Sequence, residues 1–215
     1  MTFALLVSVS PFCGSAQSGG GAGATRGISI ILVRHAETDA TQTALPLTAE
    51  GERRAELLQQ TLRDVNFTHV FATHTARTRQ TIEGIARVQS LTVIQLPVPG
   101  SVLHGQVVSE TTSRRVPIEP ISAALLKLPA GSVALVALNS ENLFAILNRL
   151  GVPAAPPGTV CAPGSMCVPC TNNSCYPKEY DQLWHLVLAP GKKKPLALIE
   201  LHYGAGWQPS AQTRG

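Results

Sequence analysis

The chain has 215 residues, which is the length of one large domain with short extensions. Apolar residues make up 44% and charged residues 14%, so the chain has ample material for a core and too little charge for intrinsic disorder. The net charge of +4 is scattered, which argues against a nucleic-acid-binding protein, and no apolar run approaches the roughly 20 residues of a membrane span.

The N-terminal segment resembles a secretory leader. Residues 1–16 combine an apolar run with small residues at Gly14 and Ala16, which is the pattern that signal peptidase accepts before Gln17. No Lys or Arg precedes the run, so an ordinary buried strand is the alternative. The Gly- and Ser-rich residues 17–27 predict a flexible linker. We therefore expect an exported protein, periplasmic or secreted.

Patterns of strand and helix alternate from residue 28 onward. Strands are predicted at Ile28–Val33, His69–Ala72, Leu91–Leu96 and Ser132–Leu138, with a closing hairpin of Gln182–Leu188 and Pro195–His202. Helices are predicted at about 49–63, at 76–88, near 121–128 and near 143–150, whereas residues 97–117 show no assignable pattern. The alternation predicts a three-layer α/β fold, with a mostly parallel central sheet and helices on both faces.

Four cysteines lie within fifteen residues of a loop rich in Pro and Gly, and they are Cys161, Cys167, Cys170 and Cys175. In an exported protein, an even set of this kind indicates two local disulfides, with three possible pairings. A four-thiolate zinc or iron–sulfur site is the competing interpretation because two residues separate Cys167 from Cys170, but the outer spacings fit no familiar zinc site. Free thiols are the third possibility.

Polar side chains follow the first two predicted strands at the points where these strands end. Arg34, His35 and Glu37 follow the first strand, and residues 73–81, which include Arg77, follow the second. Ligands of open α/β sheets bind at the carboxyl ends of strands, so we expect these side chains to meet there. Two guanidinium groups that converge on one point can hold a dianionic phosphate through paired, charge-assisted hydrogen bonds.

These residues, together with the segment Pro46–Gly51, resemble the motifs of the histidine phosphatase superfamily, also called the phosphoglycerate mutase-like fold. Tyr180–Trp184 and Leu201–Gly204 are similar to the closing hairpin of its small bacterial members. The resemblance extends from about residue 28 to 205. The expected organisation is a leader at 1–16, a linker at 17–27, a histidine phosphatase-like domain at 28–205 with a Cys-rich loop at 158–178, and a tail at 206–215.

The resemblance implies a phosphohydrolase that works through a phosphohistidine. His35 would attack phosphorus, and covalent catalysis would divide the reaction into two easier steps. Arg34 and Arg77 would hold the phosphoryl oxygens, and Glu37 would help to orient the pocket and would contact the substrate. No metal or organic cofactor is required. The implied partner is a phosphorylated small molecule or a phosphoprotein, with no nucleic acid and, in the mature form, no membrane.

The sequence departs from the family where a second pocket histidine is expected. Asn139 stands in that place, and its amide can donate one hydrogen bond to a phosphoryl oxygen but brings no positive charge. Outright loss of one such donor costs about 10² to 10³ in rate, so activity would be impaired. A catalytically inactive protein that binds a phosphorylated ligand is the alternative. The leaving-group acid is Glu110 or Glu119, with Glu110 preferred, and His74 is expected to be solvated.

Overall fold

The computed structural model describes residues 26–42, 45–109, 117–153, 177, 179–191 and 195–204. The leader, most of the linker, Glu110, the cysteines and the C-terminal tail lie outside these residues. Export, disulfide formation and the domain limits therefore stay predictions.

The secondary structure follows the predicted alternation. The helices are α1 (Ala49–Thr61), α2 (Ala76–Val88), α3 (Glu119–Leu126) and α4 (Ser140–Arg149). The strands are β1 (Ile28–Arg34), β2 (His69–Ala72), β3 (Val93–Gln95), β4 (Val102–Leu103), β5 (Gln106–Val107), β6 (Val133–Leu138), β7 (Gln182–Leu188) and β8 (Pro195–His202). No helix in the described part of the chain is both long enough and apolar enough to cross a membrane.

A six-stranded sheet with the order β3-β2-β6-β1-β7-β8 forms the middle layer. The strands from β3 to β1 pair in parallel, whereas β7 returns antiparallel beside β1 and β8 closes a hairpin with β7. In the register, Arg34 lies opposite Leu138, and Val33 lies opposite Leu183. The carboxyl ends of β2, β6 and β1 therefore share one edge with the start of β7.

The side chains of β1 alternate between two hydrophobic cores. Ile30 and Leu32 pack with α3 and α4 on one face, and Ile31 and Val33 pack with α1 and α2 on the other. Full burial of each aliphatic side chain stabilises the fold by about 1.5–3 kcal/mol. The three-layer prediction is confirmed, and β1, held on both faces, provides a fixed base for the residues that follow it.

The N-terminus of α1 supports the loop that follows β1. The Thr48 hydroxyl accepts a hydrogen bond from the Gly51 N–H at 3.1 Å and caps the helix. The Thr48 N–H donates to the Glu37 carbonyl at 3.0 Å. A Cβ on Gly51 would collide with that carbonyl, so glycine permits the close approach of the helix to the loop.

The structure shortens one predicted strand and finds a hairpin in a segment without a pattern. β3 begins at Val93 rather than Leu91, because the Leu91 N–H donates to the Ala86 carbonyl and still belongs to the turn that ends α2. The short strands β4 and β5 pair antiparallel inside the segment 97–117, where the sequence pattern predicts no element.

Candidate active site

The candidate site lies along the edge where β2, β6 and β1 end. The His35 N–H donates to the Leu138 carbonyl at 2.9 Å, and the Thr73 N–H donates to the Ala137 carbonyl at 3.1 Å. The parallel register thus continues past the strand ends and places Asn139 between His35 and the end of β2. His35 is 7% exposed and Asn139 is 0% exposed.

The ring of His35 is oriented by its own loop. Its Nδ1 lies 2.7 Å from the Ala36 carbonyl, so we assign the ring hydrogen to Nδ1 and the lone pair to Nε2. Burial, followed by the charges of Arg77 and Arg34, lowers the pKa of His35 to about 3. The imidazole is therefore neutral at pH 7, and Nε2 is available as a nucleophile.

Arg34 lies across the ring of Tyr180. The guanidinium carbon is 3.8 Å from the ring centroid, and Nη1 donates to the Pro177 carbonyl at 3.3 Å. Tyr180 also meets His35 edge-on, with ring centroids 6.0 Å apart. The cation–π contact fixes the direction of the guanidinium. In the sequence, the segment that begins at Tyr180 carries only a resemblance to the family. In the structure, Tyr180 comes just before β7, which pairs antiparallel with β1, and it therefore lies at the site.

Arg77 is the second residue of α2 and is only 5% exposed. The Thr81 hydroxyl donates to the Arg77 carbonyl at 2.8 Å and accepts from the Ala36 N–H at 2.9 Å. Thr81 thus joins the first turn of α2 to the loop that carries His35. Arg77 and Arg34 both lie close enough to His35 for their charges to act on its imidazole, and their contact with a ligand stays a prediction.

The carboxylate of Glu37 is held by Arg54 on α1. The Arg54 Nε lies 2.6 Å and 2.8 Å from the two carboxylate oxygens, and this hydrogen bonding raises the pKa of Arg54. The pair is mostly buried and ties α1 to the loop after β1. Such a tie fits an orienting role, whereas direct contact of Glu37 with a substrate stays a prediction. No sequence motif marks Arg54 as a site residue, although it lies one turn beyond Gly51.

Asn139 and Thr75 occupy the N-cap positions of α4 and α2, but neither side chain caps its own helix. Instead, the Thr75 hydroxyl donates to the Asn139 Oδ1 at 3.3 Å. The Asn139 Nδ2 is buried and has no hydrogen-bond partner within the described ranges. Two helix N-termini therefore meet at this edge, and their dipoles favour an anion.

The remaining predicted residues have different outcomes. Glu110 lies outside the described residues, and Glu119 begins α3, so the leaving-group acid is still unassigned. The expectation that His74 is solvated is wrong, because the turn from β2 into α2 is covered and leaves it 2% exposed. Among the described residues, no group of three or more His, Cys, Asp or Glu side chains is arranged to hold a metal ion.

Comparison with known protein families finds a match in the first half of the chain. Residues 30–98 match the model of the histidine phosphatase superfamily (branch 1). A curated relative, "Probable phosphoglycerate mutase GpmB" of Yersinia enterocolitica, is 39% identical over 77 residues, which are 33% of this chain and 36% of the relative. The alignment thus spans about a third of the length of this relative.

Solved structures extend the similarity over most of the chain. Phosphoserine phosphatase of Entamoeba histolytica, solved with 3-phosphoglyceric acid, is 13% identical with a TM-score of 0.51, over 82% of this chain and 98% of that one. The protein histidine phosphatase SixA, solved with tungstate, is 15% identical with a TM-score of 0.49, over 82% and 97%. The segment 30–98 that matches the superfamily model holds Arg34, His35 and Arg77, and the Entamoeba structure has the same fold as this chain.

Proposed function

We propose that the protein is a phosphohydrolase that transfers a phosphoryl group from a phosphomonoester or phosphoprotein to His35 and then to water. The observation that carries the proposal is the buried imidazole of His35, whose Nδ1 is held by the Ala36 carbonyl and whose pKa is lowered first by burial and then by the charges of Arg77 and Arg34. Such an environment opposes protonation of the imidazole and attracts a dianion, so it suits a nucleophile for phosphoryl transfer.

In the first step, the lone pair of His35 Nε2 attacks phosphorus as the bond from phosphorus to the leaving oxygen breaks. The electron pair of that bond departs with the leaving group, which then takes a proton from an acid still to be assigned. Arg34 and Arg77 offset the charge on the phosphoryl oxygens. The ring gains positive charge as the N–P bond forms, and the Ala36 carbonyl that accepts from Nδ1–H stabilises it.

In the second step, a water molecule attacks the phosphohistidine. The N–P bond breaks, its electrons return to Nε2, the proton of the water passes to the acid that was deprotonated in the first step, and inorganic phosphate leaves. The ring is then neutral again, in the state that the low pKa of His35 favours. The fixed position of Nδ1 keeps Nε2 directed to the same place in both steps, so one site serves both displacements.

A phosphate-binding protein without turnover is the second candidate, and Asn139 is the observation that favours it. The Asn139 amide is buried beside the loop of His35 and is neutral at every pH. It can contact a phosphoryl oxygen but cannot add the charge of an imidazolium. Binding would then survive, while the barrier to phosphoryl transfer would be raised.

Turnover of p-nitrophenyl phosphate by the purified protein separates the two candidates. We expect measurable hydrolysis that His35→Ala abolishes and that Arg79→Gln leaves unchanged, because Arg79 is paired with Glu83 on an outer face of α2. Activity that arises only in Asn139→His would instead support the binding protein. If inorganic phosphate and vanadate fail to bind the wild-type protein, both candidates are refuted.

A further inference from the structure

The hydroxyl of Thr75 has one hydrogen, and its surroundings direct that hydrogen to Asn139. Thr75 Oγ1 lies 3.3 Å from Asn139 Oδ1 and 3.1 Å from Thr78 Oγ1. Thr78 has acceptors of its own, the carbonyls of Thr75 at 2.8 Å and Thr73 at 3.0 Å. The Thr78 hydroxyl donates to one of these carbonyls, and its oxygen already accepts from the Thr73 hydroxyl at 3.0 Å, so the hydrogen of Thr75 is available to the Asn139 amide oxygen.

This hydrogen bond determines which way the Asn139 amide faces. Thr75 follows β2, so the amide oxygen is directed towards Thr75, and the NH₂ group is directed away from it. In the row of strand ends, the residue on the side away from β2 is His35. The NH₂ group is fully buried and lacks a partner in the described part of the chain. A buried donor of this kind needs an acceptor, and a ligand can supply one.

Neither Thr75 nor Asn139 caps its own helix, which is the ordinary role of a side chain at the N-cap position. Thr48 shows the ordinary arrangement, because its hydroxyl caps its own helix. Thr75 and Asn139 stand at the equivalent positions of α2 and α4 but make no cap hydrogen bond. The first backbone N–H groups of both helices thus stay open to an anion instead of being occupied by a side chain.

We propose that Thr75 is a positioning residue, whose hydroxyl holds the Asn139 amide so that its NH₂ group donates to a phosphoryl oxygen beside His35. The inference rests on the proposed function, because its ligand is the phosphoryl group bound at His35. The amide then takes the place of a second imidazole as a donor that needs no proton. Thr75 does not touch the phosphoryl group and acts only through Asn139.

A double-mutant cycle on the affinity for inorganic phosphate and for vanadate tests the proposal. We expect Asn139→Ala to weaken binding roughly tenfold, as loss of a hydrogen bond to a charged group does. Thr75→Val weakens it several-fold, and Thr75→Ser restores it. The double variant binds no more weakly than Asn139→Ala alone, because Thr75 then has nothing to orient. Thr61→Val is the matched control: it removes a threonine hydroxyl that donates to the Leu57 carbonyl on α1, and it keeps the phosphate affinity.

Asn139→Asp tests the direction of the amide without a change at Thr75. The Asp side chain keeps the acceptor that Thr75 uses but puts a carboxylate oxygen where NH₂ was. It should therefore bind phosphate more weakly than Asn139→Ala does, because two negative groups then meet.

Three results would overturn the inference alone: additive losses in the cycle, failure of Thr75→Ser to restore affinity, or equal affinities of Asn139→Asp and Asn139→Ala. Absence of phosphate binding in the wild-type protein has a different meaning. It would remove the phosphate site itself, and with it both the proposed function and this inference.

Discussion

The lowered pKa of His35 makes the stability of the protein depend on pH. In the unfolded chain, His35 takes up a proton below its ordinary pKa of 6.5, whereas the folded protein keeps it neutral until about pH 3. Unfolding therefore takes up a proton between these values, and the free energy of unfolding falls as the pH falls. The slope is about 1.4 kcal/mol per pH unit, so His35 alone removes about 3 kcal/mol by about pH 4.5. Well above pH 6.5, His35 is neutral in both the folded and the unfolded chain, and it no longer makes the free energy of unfolding depend on pH.

Urea denaturation of the wild-type protein and His35→Gln, each from neutral pH to about pH 4.5, measures this effect. All other titrating groups are shared, so the difference between the two curves isolates His35. We expect the wild-type protein to lose about 3 kcal/mol more than the variant across this range. Parallel curves would show that the ring is protonated as easily in the folded protein as in the unfolded chain, and the buried, cationic environment would be refuted.

The share of the arginines in this pKa can be measured separately by NMR titration of His35. Arg77→Gln removes one of the two neighbouring positive charges, so the pKa of His35 rises, although it stays below 6.5 because burial is the larger cause. Arg79→Gln is the matched control from the same helix and leaves the pKa unchanged. An unchanged pKa in Arg77→Gln would mean that Arg77 does not reach the imidazole, contrary to the convergence on which the candidate site depends.

Three further outcomes follow from individual contacts. Gly51→Ala forces a methyl group against the Glu37 carbonyl, so it should lower the free energy of unfolding by about 1–3 kcal/mol in urea and reduce turnover, whereas a neutral result would refute the close approach. Tyr180→Ala releases Arg34 and should weaken phosphate binding by about 1 kcal/mol in calorimetry, while Tyr180→Leu, if it bound equally well, would contradict a cation–π role. If the loop 158–178 contains two disulfides, alkylation should label its four cysteines only after reduction, and mass spectrometry measures this labelling.

The parts of the fold and site that the sequence predicts are those with a local signal. β1 is an unbroken apolar run because it is buried on both faces, and such a run must end where the polar loop begins. Both the residue types of Arg34 and His35 and their position at the end of this apolar run therefore indicate a ligand site. Arg77 is marked in the same way by the end of β2. The rule that parallel strands share one carboxyl edge then joins two segments about forty residues apart.

The residues that sequence analysis missed depend on contacts between distant segments. Tyr180 meets Arg34 only because β7 returns antiparallel beside β1, and no local pattern reveals which strand a closing hairpin will join. Arg54 reads as one charged residue of an amphipathic helix until the approach at Gly51 brings it to Glu37. The burial of His74 likewise follows from the sheet order, which encloses a turn that reads as polar loop.

Asn139 shows how the structure changes the meaning of a substitution. From the sequence alone, Asn139 indicates impaired catalysis, because a neutral amide stands where an imidazole that could carry charge is expected. In the structure, the amide oxygen of Asn139 accepts a hydrogen bond from Thr75, and the buried NH₂ group has no partner in the described part of the chain. A buried NH₂ group that is held in this orientation needs an acceptor. A histidine between Thr75 and His35 would add a third cationic group beside two arginines and would be driven towards its neutral form. The amide avoids that competition, because its capacity to donate does not depend on a proton.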